Sequence, residues 1–114
     1  MEDKFSLYNL EISVTGDPET FVCSHEVGPA FQVVGEDLVF DTNKKFSMYG
    51  MAALLPLLAA KQRETHQNDW MTTDQLIACP DPNCGARFKI DRLDKSEFRH
   101  SEVTNVPLTP KENS

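Results

Sequence analysis

The sequence predicts an α+β domain: a small, mostly antiparallel sheet of about five short strands with one Pro-kinked helix or helix pair. Three observations carry that expectation. Residues 5–14 alternate apolar and polar side chains with a period of two, as a half-buried strand does. Two later pairs of short apolar runs flank turn-forming residues, as hairpins do. Between those pairs lies Met48–Ala60, an uncharged stretch of mostly Met, Ala and Leu, all good helix formers.

In chain order, Tyr8, Leu10, Ile12 and Val14 share one face of the first strand, which Gly16-Asp17-Pro18 ends. Residues 31–34 and 38–40 flank Gly35-Glu36-Asp37 and read as a hairpin. Asp41, Thr42 or Asn43 can cap the helix that follows. Leu54, Leu55, Leu57 and Leu58 cover most of its circumference, so it is expected to be widely buried or to dock on a partner. Pro56 lacks an N–H and crowds the preceding turn, so the helix kinks there or a second one starts there and runs to about residue 64. Lys61 and Arg63 suit the negative end of the helix dipole. Trp70 is expected to close one edge of the core. Residues 76–79 and 86–91 form the second hairpin, with Phe88 and Ile90 alternating against Arg87, Lys89 and Asp91. From Leu93 onward the chain is charged and aperiodic. The predicted domain therefore spans 1–94, and 95–114 is expected to be a disordered or partner-binding tail in which Val103, Val106 and Leu108 could clip onto that partner.

The 114 residues suffice for one modest core, and the net charge of -7 sets 18 acidic against 11 basic side chains. A phosphate backbone is repelled by that balance, and Lys44-Lys45 is the only adjacent basic pair, so no nucleic-acid partner is expected. The longest uncharged run, residues 46–60, contains Gly50 and Pro56 and falls short of the roughly 20 apolar residues of a bilayer span. Glu2, Asp3, Lys4 and Glu11 interrupt the region where a secretory leader would need an apolar core. Three cysteines cannot all pair, which argues against a disulfide framework and for a reducing, cytoplasmic compartment.

The chemistry-bearing stretch is Cys79-Pro-Asp-Pro-Asn-Cys84-Gly, two thiols on a turn that Pro80, Pro82 and Gly85 favour. The remaining cysteine, Cys23, has His25 two positions later. Cys23, His25, Cys79 and Cys84 are thus four candidate ligands from two distant segments, and an N/S set of four suits tetrahedral zinc. Such a metal would also staple a small core. Two other readings stand beside it. The thiols can be small apolar residues at strand ends, with His25 a solvated loop histidine. Alternatively, Cys23 with His25, or Cys79 with His66, forms a thiolate–imidazolium pair. His100, Glu26, Glu36 and Asp37 read as solvated residues.

The order of these features resembles a family of short, uncharacterised bacterial and archaeal proteins. Their pattern is a strand, a Cys with Gly-His-x-Val-Gly-Asp-x-Phe, a Leu-x-Pro helix, and Cys-Pro-Asp-Pro before a last strand. Cys23-Ser-His25-Glu-Val27-Gly28-Pro-Ala-Phe31 matches the first block, Leu55-Pro56-Leu57 the helix, and Cys79-Pro80-Asp81-Pro82 with Phe88-Lys-Ile90 the end. Ser24 stands where the family has Gly, Pro29 where it has Asp, and Cys84 is not a family position. The resemblance covers roughly residues 6–92 and implies that Cys23, His25 and Cys79 act as a set; it implies no reaction.

Two functional expectations follow. One is a zinc-binding accessory or structural subunit of a larger cytoplasmic enzyme complex, docking through the Met48–Ala60 helix or the tail, or self-associating there. Zinc-bearing small subunits of aromatic carboxylases and decarboxylases are similar in size and acidity, an analogy of type. The other is a small enzyme using a Cys/His-bound metal or a thiolate on a small organic substrate, favoured by an apolar pocket near Trp70 and Met48 open to His25.

Overall fold

A computed structural model describes residues 3–108. Strand β1 (Lys4–Thr15) is the spine of the molecule. It pairs antiparallel with β2 (Gly28–Val34) on one side and with β5 (Arg87–Arg99) on the other. β3 (Asp37–Phe40) and β4 (Leu76–Ala78) complete the two predicted hairpins, giving the sheet order β3-β2-β1-β5-β4, antiparallel throughout.

Period-two patterning decides which face is buried. Leu10, Ile12 and Val14 of β1, Phe31 and Val33 of β2, and Phe88 and Ile90 of β5 all lie in the core. The phase breaks once. Tyr8 pairs with Lys95 and Leu10 with Arg92, so β5 bulges opposite Asn9, and Leu7 and Asn9 are buried in the opposite phase to Leu10. Asn9 is satisfied there: its Oδ1 accepts from Gly35 N at 2.9 Å and Ser96 Oγ at 3.0 Å. The single alternation expected for residues 5–14 is therefore two half-strands joined at a bulge.

One continuous helix, α1 (Met48–Gln62), covers the core face, with Pro56 inside it rather than starting a second helix. Its cap is Ser47, whose Oγ accepts from Gly50 N at 3.2 Å, and not residues 41–43. Leu54 and Leu58 face the sheet. Met48, Tyr49, Ala52, Leu55, Pro56 and Ala59 face outward, so the even spread of leucines concealed a clear division into faces. Arg92 on β5 closes the helix end, donating from Nε to Lys61 O at 2.7 Å and from Nη2 to Arg63 O at 2.8 Å. Lys61 is buried instead of serving the dipole; its Nζ donates to Met71 O at 2.7 Å and to Asp74 O.

A short helix α2 (Trp70–Thr73) buries Met71, while Trp70 points outward and closes no edge of the core. The expected domain limit at residue 94 is also displaced. β5 continues to Arg99 against Lys4–Tyr8, Phe98 stacks on Phe5 with ring centroids 5.3 Å apart, and α3 (His100–Val103) follows. Residues 95–99 look solvated in sequence because this ribbon extends past the core and has water on much of its surface. The part of the expected tail over 109–114 lies outside the described residues. Among the described residues no helix is long and apolar enough to cross a membrane.

A three-thiol candidate metal centre

Two loops build the site. The first leaves β1 at Gly16 and makes one 3-10 turn, Pro18–Thr20. Asp17 caps that turn with its carboxylate on Glu19 N at 3.0 Å, and Pro18 needs no donor at the first position. Cys23 follows the turn. The second loop joins β4 to β5. Asp81 O accepts from Cys84 N at 3.0 Å and Asp81 Oδ1 from Asn83 N at 2.9 Å, so the Pro-Asp-Pro-Asn sequence winds into a compact knuckle. Cys79 N donates to Ala86 O at 3.3 Å and closes its base.

The loops touch through glycine. Gly85 N donates to Thr20 O at 3.0 Å, and a Cβ on Gly85 would stand 1.9 Å from Thr20 Oγ1. Gly16 has φ +117°, and a Cβ there would meet Gly85 O at 2.8 Å. These two positions allow the backbones to approach closely enough for their thiols to meet.

Cys23, Cys79 and Cys84 offer three Sγ atoms that all lie within 4.8 Å of one another. Cys84 is buried, Cys23 and Cys79 partly so. Cys23 and Cys84 are 2.7 Å apart as a hydrogen-bonded pair. Burial, then the bond to Cys84, pushes the Cys23 thiol up to about 11. Burial also opposes charge on Cys84, but the Cys23 hydrogen bond and backbone contacts at Ala86, Val22 and Cys23 outweigh it and bring its thiol down to about 7. Of the two thiols, Cys84 is therefore the one that loses its proton more readily. The backbone at His25 also favours the Cys23 thiolate. In both loops the residue two past a cysteine therefore steadies that cysteine's negative charge, which is what a cation at the cluster needs.

His25 is not in the convergent group. Its ring lies edge-on to Phe88, centroids 4.9 Å apart, and tilted against Phe46 at 5.3 Å. Its Nε2 is buried with no hydrogen-bond partner, alone in this respect among the described residues. Burial holds its pKa below the ordinary 6.5, so the ring is neutral at pH 7. It is not the solvated loop histidine of the second reading. A cavity of about 250 Å³ adjoins it, walled by Glu26, Asp41, Asn43, Lys44 and Phe46 among others. Met48 and Trp70 are exposed and do not line it. His66, the other imidazole considered, is exposed, with Nδ1 accepting from Asn68 N at 3.0 Å. His100 is engaged with Val106 O, and Glu26, Glu36 and Asp37 are exposed.

The contributors that sequence reading passed over are Thr20, Gly16, and the backbone at Val22 and Ala86. Asp17-Pro18-Glu19-Thr20 does carry a signal, since Asp before Pro at a turn start is a capping pattern as well as the end of a strand. No family model, curated protein or solved structure matches the chain.

Proposed function

We propose that this is a zinc-stapled structural or accessory subunit that acts by assembling with another chain rather than by catalysing a reaction. The observation carrying this is the convergence of three thiols from loops some 60 residues apart, with Cys84 already inclined to ionise. Thiolate sulfur is a preferred zinc donor, and three thiolates around one dication leave one position for a fourth ligand. His25 is proposed for that position. It is neutral, two residues from Cys23, and its Nε2 lacks a partner. Two thiolates on one zinc stand about 3.8 Å apart, given Zn–S bonds of about 2.3 Å and tetrahedral angles. To hold the ion, Cys23 and Cys84 would stand about 1 Å further apart than they do, and His25 would have to leave its packing on Phe46 and Phe88.

The test is metal analysis of protein purified under reducing conditions, followed by cobalt substitution. One metal per chain is expected, with thiolate-to-cobalt charge-transfer absorption that Cys79→Ser reduces by about a third. His25→Ala should keep that band and change the ligand-field bands. Full thermal stability in metal-free protein, unchanged by added zinc, refutes the staple.

A further inference from the structure

The outward face of α1 has a pattern that its composition does not show. Met48, Ala52, Leu55 and Ala59 fall within about 60° of arc at 3.6 residues per turn, and all four are exposed. Along this stripe the side chains read large, small, large, small. No charge interrupts the helix before Lys61, so the chain's -7 does not act locally against apolar contact.

We propose that a second copy of this chain docks here, α1 against α1 in antiparallel orientation about a two-fold axis between Ala52 and Leu55. That axis sets Met48 opposite Ala59 of the partner subunit and Leu55 opposite Ala52 of the partner subunit, and the same contacts recur with the copies exchanged. Every large side chain meets a small one, and the alanines let the helices approach closely. A parallel arrangement sets Met48 on Met48 and leaves Ala59 facing Ala59. Tyr49 and Pro56 flank the stripe and extend the contact.

The exposures set the strength. Met48 is 73% exposed, Tyr49 70% and Leu55 49%. With the alanines and Pro56, each copy offers on the order of 500 Å² of apolar surface. A two-fold pair then covers on the order of 1,000 Å², just under the roughly 1,200 Å² at which specific interfaces begin. The dimer is accordingly weak, with Kd in the micromolar range. This names the partner in the assembly reading but does not depend on the metal.

Sedimentation velocity on the full chain, from about 5 to 500 µM, measures the association. The wild type should pass from monomer to dimer in that range. Leu55→Glu should weaken the dimer about tenfold or more by setting a carboxylate in an apolar contact. Met48→Lys, at the most exposed position, does the same should Leu55→Glu disturb folding. Adding Ala59→Glu to Met48→Lys should recover much of the loss, because the antiparallel register faces each lysine with a glutamate. A wild type that stays monomeric at the top concentration overturns the proposal and leaves the face to a different chain. A double variant weaker than Met48→Lys overturns the antiparallel register. Metal content measured on the same samples separates these results from failure of the zinc staple.

Discussion

Gly85→Ala tests the claim that two backbones in van der Waals contact assemble the thiol cluster. The added Cβ would lie 1.9 Å from Thr20 Oγ1 and 2.6 Å from Thr20 Cβ, whereas ordinary contact begins near 3.4 Å. Rotating Thr20 moves Oγ1, at the cost of its 2.7 Å bond to Asp17 O, but does not move Cβ. The loops must therefore separate by on the order of 1 Å, an overpacking cost of about 1–3 kcal/mol. The 3.0 Å bond from Gly85 N to Thr20 O is then lost, worth about 1 kcal/mol more. A destabilisation of about 2–4 kcal/mol lowers Tm by on the order of 10–20 °C in a domain of this size. Zinc affinity should fall as well, since Cys84 moves with Gly85 away from Cys23. Thermal melts and a competitive zinc titration measure the two effects. Thr20→Gly in the same chain should restore part of both, because it removes the atoms that clash. If Gly85→Ala melts and binds zinc like the wild type, the close approach does not hold the site together.

Two further outcomes follow from the fold. Truncation after residue 94 should destabilise the domain by several kcal/mol, since it removes the partner of Lys4–Tyr8 and the Phe5–Phe98 stack, whereas truncation after residue 104 should be close to neutral; urea midpoints of the two chains decide between them. Burial, and then the Arg92 guanidinium, hold the Lys61 ammonium below its ordinary 10.5. Between that lowered value and 10.5 the unfolded chain keeps a proton that the folded chain has released, so this group makes stability rise with pH there. Lys61→Met should remove that slope and cost about 1–3 kcal/mol by leaving the Met71 and Asp74 carbonyls without a donor. Parallel pH dependences for the two proteins in urea titrations would count against a perturbed lysine.

The sheet was largely legible because apolar and polar residues alternate over the core stretches of β1, β2 and β5, and turn residues mark both hairpins. What escaped notice depended on contacts distant in sequence. The bulge opposite Asn9 arises from β5, some 85 residues away, and nothing in residues 5–14 announces it. The outer half of β5 was read as tail because a ribbon wetted on much of its surface has no apolar period to detect. The division of α1 into faces depends on where the sheet lies, and four leucines in five positions carry no such direction. In the site, Cys23, Cys79 and Cys84 were legible from residue type and turn chemistry. The placement of His25 was not, because the phenylalanines around its ring, Phe46 and Phe88, come from other segments.

The arrangement of β1 also governs when the protein can form. Its central strand is synthesised first, but its longest pairing, from Lys4–Arg99 to Thr15–Arg87, joins the two ends of the described chain. At about 5–20 residues per second, β1 waits roughly 4–15 s on the ribosome before β5 has been made. In that interval β2 and β3 can occupy one edge, while Leu10, Ile12 and Val14 present an unpaired strand on the other. The β1–β5 pairing is the longest in the sheet and the most distant in sequence, so closing it is a late, slow step that fixes much of the structure at once. The loops bearing Cys23 and Cys84 meet only when that step completes. A metal held by all three thiols therefore reports that the last strand has arrived.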